Sequence, residues 1–148
     1  MAVLTAERRF AVEASPERVW DLLGRAIFDS LGGMEKMEVI DENNFRAELR
    51  VRAFGIPLTM YLSGEMTDIS PPTSLSVKLS SNSKWKVISL TQQINFTLEP
   101  AGEGKTNVTC QALAEGLNPL FRWALLGQVK NQARQIFAKI EERLKQWA

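Results

Sequence analysis

The sequence contains no histidine among its 148 residues. This absence removes the commonest general base near neutral pH and the commonest protein ligand for transition metals. Nucleophilic systems that pair serine or cysteine with histidine are excluded, and the single cysteine, Cys110, cannot build a familiar zinc site. Phosphate-binding glycine motifs are also missing. We therefore expect no cofactor and no metal site, and we favour binding over catalysis.

Other absences narrow the class of protein further. One cysteine permits no internal disulfide, which fits a reducing compartment. No apolar run approaches the ~20 residues that cross a bilayer, and the start, MAVLTAERRF, lacks a signal-peptide core. A net charge of +1 argues against a dedicated nucleic-acid binder. We expect a cytoplasmic protein, with residues 1–148 forming a single domain.

Apolar alternation is the main pattern that the sequence does contain. Residues 3–14 are predicted to form a strand, and Ser15 and Pro16 are typical of a helix start. From residue 45 onwards, alternating apolar and polar positions predict about six strands, with SSNS at 80–83 as a turn. The strand phase near residue 87 is ambiguous: either a bulge interrupts it, or Trp85 and Val87 face outwards.

The chain ends in a long predicted helix, with Asn118 as N-cap and Pro119 at the first helical position. Consecutive strands joined by short turns predict an antiparallel sheet, and an amphipathic helix of this length must cover its apolar face. The order is therefore strand, one or two short helices, about six strands, and a long helix. This is an α+β arrangement.

Four stretches give the chain a resemblance to a known superfamily: ASPERVWDLL (14–23), GGMEKMEVID (32–41), RAELRVRAFGIPLTMYLSGEMTDISPP (46–72) and TNVTCQALAEG (106–116). Together with the terminal helix, they resemble the START-like, or SRPBCC, superfamily, and most closely the carbon monoxide dehydrogenase G-subunit family. The resemblance implies a helix-grip fold, in which a curved antiparallel sheet wraps around the C-terminal helix. It also implies an apolar cavity between them.

The positions on the inward face of the strands and helix predict the lining of such a cavity. Bulky side chains alternate there with small ones, which leaves volume beneath the helix, although solid cores interdigitate in the same way. A filled core therefore stays open as the alternative. The predicted ligand-binding residues are Met60, Leu62, Met66, Leu90, Gln92, Ile94, Phe96, Cys110, Ala112, Phe121, Leu125, Val129 and Ala133.

Gln92 is the polar member of this inward set. A buried amide must be hydrogen-bonded or it costs about 1–3 kcal/mol. It could orient a ligand carbonyl or hydroxyl, reach water at a strand end, or be satisfied by the backbone. Cys110 is predicted to be a small apolar residue, because no histidine is present to activate its thiol.

The stretch NPLFRWALLGQ (118–128) is more apolar than one helix face requires. Three covers are open for it: the segment 32–37, a partner subunit, or lipid. From residue 118 onwards six basic residues stand against two acidic ones, so this part carries +4. An anionic membrane surface would attract it, which would place the protein at the inner face of the membrane.

These observations lead to two hypotheses from different classes. The first is a protein that binds or carries a hydrophobic small molecule, such as a lipid, isoprenoid or quinone, as an accessory protein to a redox enzyme if the closest resemblance holds. The second is an enzyme of the polyketide cyclase or dehydratase type, which shares the superfamily fold. Paired acidic or polar groups on the inward face would favour the enzyme, and Gln92 alone is found there. We identify no protein partner from the sequence.

Overall fold

A computed structural model describes residues 3–31, 35–84 and 88–148, apart from the side chains of Glu35, Ala53 and Phe121. The elements follow one another in the predicted order. They are β1 (Val3–Val12), α1 (Pro16–Ser30), β2 (Glu35–Val39), β3 (Asn44–Ala53), β4 (Ile56–Ser70), β5 (Ser74–Ser83), β6 (Ser89–Pro100), β7 (Thr106–Glu115) and α2 (Pro119–Trp147).

The seven strands form one antiparallel sheet in the order β1-β7-β6-β5-β4-β3-β2. Strands β2 to β7 each pair with their neighbour in the chain, and β1 closes the far edge by pairing with β7. The sheet is curved, and α2 lies against its concave face. The helix-grip α+β fold is thus confirmed, and one helix follows β1 in the described part of the chain.

Local sequence signals explain where both helices begin. The Ser15 hydroxyl accepts a hydrogen bond from the Arg18 backbone N–H at 3.3 Å, and Pro16 occupies the first turn of α1. The Asn118 side chain accepts from the Leu120 backbone N–H at 3.0 Å, ahead of α2. Each cap satisfies a backbone donor that has no partner within its helix. Both predicted helix starts are confirmed.

One boundary differs from the expectation. Residues 80–83 are not a turn, because β5 continues to Ser83 and pairs with β6 as far as Asn82 opposite Ser89. Serine favours turns in isolation, yet the alternation of buried positions continues through Ser81 and Ser83, so the ladder and core prevail over local preference. The predicted bulge near residue 87 lies outside the described residues, as do Trp85 and Val87.

The buried side chains form two clusters. The larger one joins α1, the sheet from its β1 edge to β5, and the C-terminal half of α2, where Phe137, Ile140 and Leu144 are fully buried. The smaller one lies under the N-terminal half of α2 and consists of Ala47, Met60, Leu62, Ile88 and Leu125. Among the described side chains, α2 thus makes many core contacts in its C-terminal half and fewer in its N-terminal half.

Candidate ligand-binding site

A cavity of about 240 Å³ lies between the sheet and the N-terminal half of α2. A second hollow of about 320 Å³ shares Leu49, Gln132 and Gln135 with it and continues towards the end of α1. Small-molecule sites typically occupy about 300–1,000 Å³, so the two together are large enough for one. The first cavity is lined by Leu49, Arg50, Val51, Met60, Leu62, Ser81, Ile88, Leu90, Gln92, Leu117, Leu125, Gln128, Val129, Asn131, Gln132 and Gln135.

The sheet side of the cavity is mainly apolar because successive strand residues alternate between the two faces. Met60 and Leu62 on β4 are both 4 % exposed, and Leu90 on β6 is 7 % exposed. From the opposite side, Leu125 of α2 packs into the same small cluster. These side chains give the cavity an apolar surface, which would exclude water from one side of a bound molecule.

Two polar side chains interrupt this wall. Gln92 and Ser81 are 9 % and 5 % exposed, and both line the cavity. In the ladder, Gln92 stands opposite Leu79, and Ser81 stands opposite Leu90. They are therefore diagonal neighbours on one face of the sheet, a separation of about 7–8 Å. A molecule above the sheet can reach both groups.

The helix contributes a stripe of amides. Gln128, Asn131, Gln132 and Gln135 line the cavity at i, i+3, i+4 and i+7, a spacing that places them on one face of α2. Gln128 is already engaged: its oxygen accepts from the Arg52 backbone N–H at 3.2 Å, and its nitrogen donates to the Arg52 carbonyl. This pair joins α2 to the end of β3 beside the cavity.

The structure divides the thirteen residues predicted to bind ligand into three groups. Those that line the cavity are Met60, Leu62, Leu90, Gln92, Leu125 and Val129. Those that belong to or pack against the larger core cluster are Met66, Ile94, Phe96, Cys110, Ala112 and Ala133. The side chain of Phe121 lies outside the described residues. For all thirteen, contact with a ligand stays a prediction.

The second group faces inward as predicted, but α2 fills the space above it. Phe96 meets Phe137 of the helix edge-to-face, with ring centroids 6.3 Å apart, and Cys110 and Ala112 are fully buried. Burial raises the pKa of the Cys110 thiol to about 12, so the thiol stays neutral and unreactive at ordinary pH. At this end of the molecule the alternative of a filled core describes the packing.

Several lining residues were missed from the sequence. The amide spacing from residue 128 to 135 was readable, but polar helix residues are usually assigned to solvent. Ser81 was hidden by its assignment to a turn. Leu49 and Val51 were recognised as one apolar face of a strand, yet nothing local indicated that this face would meet a cavity.

The described part of the site offers little for acid–base or metal chemistry. The lining of the two hollows contains no carboxylate, and its charged members are Arg50, which is exposed, in the first and Lys139 in the second. Among the described residues, no group of three histidine, cysteine or acidic side chains is arranged to hold a metal ion. What the arrangement provides is apolar surface with a few uncharged donors and acceptors, the usual composition of a small-molecule site.

A family model for "polyketide cyclase / dehydrase and lipid transport" matches residues 1–147. The chain belongs to this family. The match agrees with the superfamily resemblance found in the sequence, and it does not show the narrower resemblance to the carbon monoxide dehydrogenase G-subunit family. No curated protein sequence is significantly similar to the chain.

Solved structures share the fold at low sequence identity. A conserved protein from Geobacillus kaustophilus is 19% identical, with a TM-score of 0.71 over 95% of this chain and 94% of that one. Norcoclaurine synthase from Thalictrum flavum, in complex with dopamine and hydroxybenzaldehyde, is 10% identical, with a TM-score of 0.69 over 99% and 86%. The Zhui aromatase/cyclase from Streptomyces sp. R1128 is 12% identical, with a TM-score of 0.55 over 97% and 96%. At such identities the likeness establishes the fold alone.

Neither described helix combines the length and the apolar character of a membrane-crossing segment. This holds for α2 despite its 29 residues, because amides and basic side chains recur along it.

Proposed function

We propose that this protein binds or carries a hydrophobic small molecule, of the size and character of a lipid, isoprenoid or quinone, in the cavity under the N-terminal half of α2. The observation that carries the proposal is the cavity of about 240 Å³ with its apolar sheet wall. The family description, which includes lipid transport, supports it. So does the fold neighbour with two aromatic molecules bound, norcoclaurine synthase.

A cavity-filling substitution tests this proposal. Val129 lines the cavity from α2 and is only half-buried, so Val129→Phe adds volume where room exists. We expect it to weaken binding of the neutral fluorescent probe N-phenyl-1-naphthylamine at least about tenfold, or 1.4 kcal/mol, with little loss of thermal stability. Val39→Phe is the matched control, since Val39 is 61 % exposed on β2. If the parent does not bind the probe, or both variants bind it equally, the proposal fails.

Identification of the natural ligand needs a separate experiment. Protein exposed to a lipid extract should carry a non-covalent adduct in native mass spectrometry, and the released molecule can then be identified. Val129→Phe should carry less of the adduct than Val39→Phe. Equal loading of both variants would place the bound molecule elsewhere.

The alternative is an enzyme of the polyketide cyclase or dehydratase type that uses the same cavity. It is favoured by the family description and by the aromatase/cyclase among the fold neighbours. General acid–base catalysis requires a group with a suitable pKa within reach of the substrate, and the described lining has no carboxylate. We expect turnover of activated esters and polyketide-like substrates to stay at background. Reproducible turnover that is abolished by Gln92→Leu would establish the enzyme instead.

A membrane contact is the narrower proposal for the opening of α2. Leu120 and Trp123 are 61 % and 80 % exposed, and they lie beside the turn between β3 and β4, where Phe54 and Ile56 are 52 % and 60 % exposed. The Phe54 and Trp123 rings are 5.8 Å apart. These four residues, the mouth patch, form an apolar surface next to the end of the cavity, and such surfaces commonly mark interaction sites.

The charges around the mouth patch suit an anionic bilayer. Residues 49–64 and 116–140, which carry the patch and most of the cavity lining, contain six basic residues and no aspartate or glutamate. The nearest acidic residue before α2, Glu115, borders a shallow pocket with Arg122. Each basic residue near an anionic membrane contributes about 1 kcal/mol. Amphipathic surfaces of this kind lie in the interface without crossing it.

Vesicle co-sedimentation tests the membrane contact. The protein should bind phosphatidylglycerol-containing vesicles, and binding should weaken as salt screens the charges. A Leu120→Ser, Trp123→Ser double variant should lose it, whereas Ile69→Ser, at a 44 % exposed apolar site on β4, should not. Binding that survives the double variant would reject the mouth patch as the contact. Loss of binding in all variants would indicate a general effect of surface hydrophobicity.

The role of an accessory protein to a redox enzyme rests on the sequence resemblance alone. If this role is correct, the tagged protein should co-purify a redox enzyme from an extract of the source cells. Recovery of the same enzyme by the Leu120→Ser, Trp123→Ser variant would show that the enzyme does not bind at the mouth patch. Absence of any redox enzyme would leave ligand binding as the whole of the proposal.

A further inference from the structure

The sheet side of the cavity is mainly apolar, but it contains the polar side chain of Gln92. Gln92 is nine-tenths buried, and none of the hydrogen bonds between described residues involves its side-chain amide. All fully buried side-chain nitrogen and oxygen atoms of the described residues do have a partner. We infer that the small accessible surface of the Gln92 amide faces the cavity that this residue lines.

The neighbouring residue on β6, Gln93, is a useful comparison because its amide has a hydrogen-bond partner within the protein. Gln93 points to the outer face, where its nitrogen donates to the Asn95 side-chain oxygen at 3.0 Å. Gln92 has Leu79 and Ala114 as its cross-strand neighbours, and neither offers a side-chain partner. An amide with so little accessible surface is poorly hydrated, and a bound polar group can supply the hydrogen bond that it lacks.

We propose that the cavity selects uncharged molecules that carry a carbonyl or hydroxyl group on an apolar body, and that Gln92, with Ser81, recognises this group. This inference rests on the proposed function, because it concerns the same cavity. Gln92 offers both an amide donor and an amide acceptor, and the Ser81 hydroxyl can act as either. The two groups can therefore accommodate a ketone, a quinone oxygen or an alcohol.

The chemistry of the opposite wall supports an uncharged ligand. Asn131, Gln132 and Gln135 add three more neutral amides, and the lining of the first cavity lacks a carboxylate. Its cation, Arg50, is exposed, and Lys139 lines the adjoining hollow and not the wall near Gln92. An ion at the floor would lose its hydration without gaining a buried countercharge, which is strongly unfavourable. A pure hydrocarbon would leave the Gln92 amide without a partner. The ligand that suits this lining best is therefore neither an ion nor a pure hydrocarbon, but an uncharged molecule with a polar group.

Three matched naphthalenes test the selection by displacing N-phenyl-1-naphthylamine: 2-acetylnaphthalene, which is a neutral ketone, 2-isopropylnaphthalene, which is a hydrocarbon, and 2-naphthoate, which is an anion. The quantity of interest is the ratio of ketone to hydrocarbon affinity. One net hydrogen bond of about 1 kcal/mol corresponds to about fivefold. We expect Gln92→Leu to lower this ratio at least fivefold and Ser81→Ala to lower it less. Gln93→Leu, the matched control on the outer face, should leave the ratio unchanged.

Thermal stability without ligand separates recognition from a structural role. If the Gln92 amide has no hydrogen-bond partner in the ligand-free protein, Gln92→Leu should raise the melting temperature, because an apolar side chain then replaces an unpaired amide. A structural amide would give the opposite sign. Gln92→Met repeats the test with an unbranched side chain if the leucine packs poorly.

The outcomes distinguish this inference from the proposed function. An unchanged affinity ratio in both Gln92→Leu and Ser81→Ala overturns the recognition of a polar group, while probe binding still supports the cavity. Tightest binding of 2-naphthoate overturns the preference for uncharged ligands. A parent protein that binds no probe at all rejects the proposed function itself.

Discussion

A single methyl group at Gly64 should test how the sheet is packed against α1. Gly64 on β4 stands directly opposite Phe45 on β3. A Cβ atom added to Gly64 would overlap the Phe45 ring at Cε1 and Cζ and lie 2.9 Å from Cδ1. The ring cannot move away freely, because Phe45 is 1 % exposed and meets Phe28 of α1 edge-to-face, with centroids 5.8 Å apart.

The size of the effect follows from two opposing terms. Overpacking in a well-filled core costs about 1–3 kcal/mol. Replacing glycine by alanine recovers about 0.4–1 kcal/mol by restricting the unfolded chain. We therefore expect Gly64→Ala to lower the free energy of unfolding by about 1–2 kcal/mol. At about 2–4 °C per kcal/mol for a chain of this size, the melting temperature should fall by about 2–8 °C.

Thermal and urea unfolding of a double-mutant cycle provide the assay. Phe45→Leu alone should destabilise the protein by leaving a void above Gly64, and the added methyl group should partly fill that void. The double variant should therefore be more stable than the sum of the single effects by about 0.5–3 kcal/mol. Ser63→Ala, on the exposed face of the same strand, is the control. Additive effects, or a Gly64→Ala variant as stable as the parent, would refute this account of the packing.

Three further predictions concern titration and local stability. Native Cys110 should resist alkylation at pH 8 and react once the protein is unfolded. Because burial raises the pKa of its thiol from the ordinary value of 9 to about 12, its contribution to stability is present below pH 9 and is lost as the pH rises towards 12. The Cys110→Ala variant should not show this loss of stability. Burial opposes ionisation of Glu141, but hydrogen bonds from Lys145 and Arg8 outweigh it and lower the pKa; Glu141→Gln should therefore be less stable than the parent at pH 7, and urea titrations should show the difference vanishing as pH falls below 4.5 through the lowered pKa. Hydrogen exchange should be faster at 119–127 than in the remainder of α2, and a bound ligand should slow it; uniform exchange along the helix would contradict this.

Strand faces were predictable from the sequence because the side-chain period of a strand is two. The central even positions of β4, β6 and β7, such as Met60, Ile94 and Cys110, were assigned inward and are buried. Ile56, assigned to the same face at the start of β4, is 60 % exposed, because the strand there lies at the turn after β3. The two helix starts were predictable for a similarly local reason, since Ser15 and Asn118 cap their own helices. Local rules decide which way a side chain points once the element type is known.

The division of the inward face into packed core and cavity was not predictable in this way. It depends on the distance between α2 and the sheet, which is set by contacts between elements far apart in the chain. Ala112 illustrates the point: its small side chain suggested free volume, but it is fully buried in the larger cluster. Ala112→Phe should therefore overpack the core, where the corresponding change at Val129 should only narrow the cavity.

The contrast between the two halves of α2 explains why the cavity lies where it does. Towards the C-terminus, Phe137 and Leu144 are fully buried, and Arg143 forms an ion pair with Asp29 of α1, so this half is held by both packing and charge. Towards the N-terminus, Leu125 is deeply buried among the described side chains, and the Gln128 side-chain amide holds the helix to the end of β3 by hydrogen bonds with the Arg52 backbone. The helix is thus fixed at its far end and held lightly beside the cavity. Because opening there should break few of the apolar contacts between described residues, we expect a ligand to enter at the mouth patch without unfolding of the core.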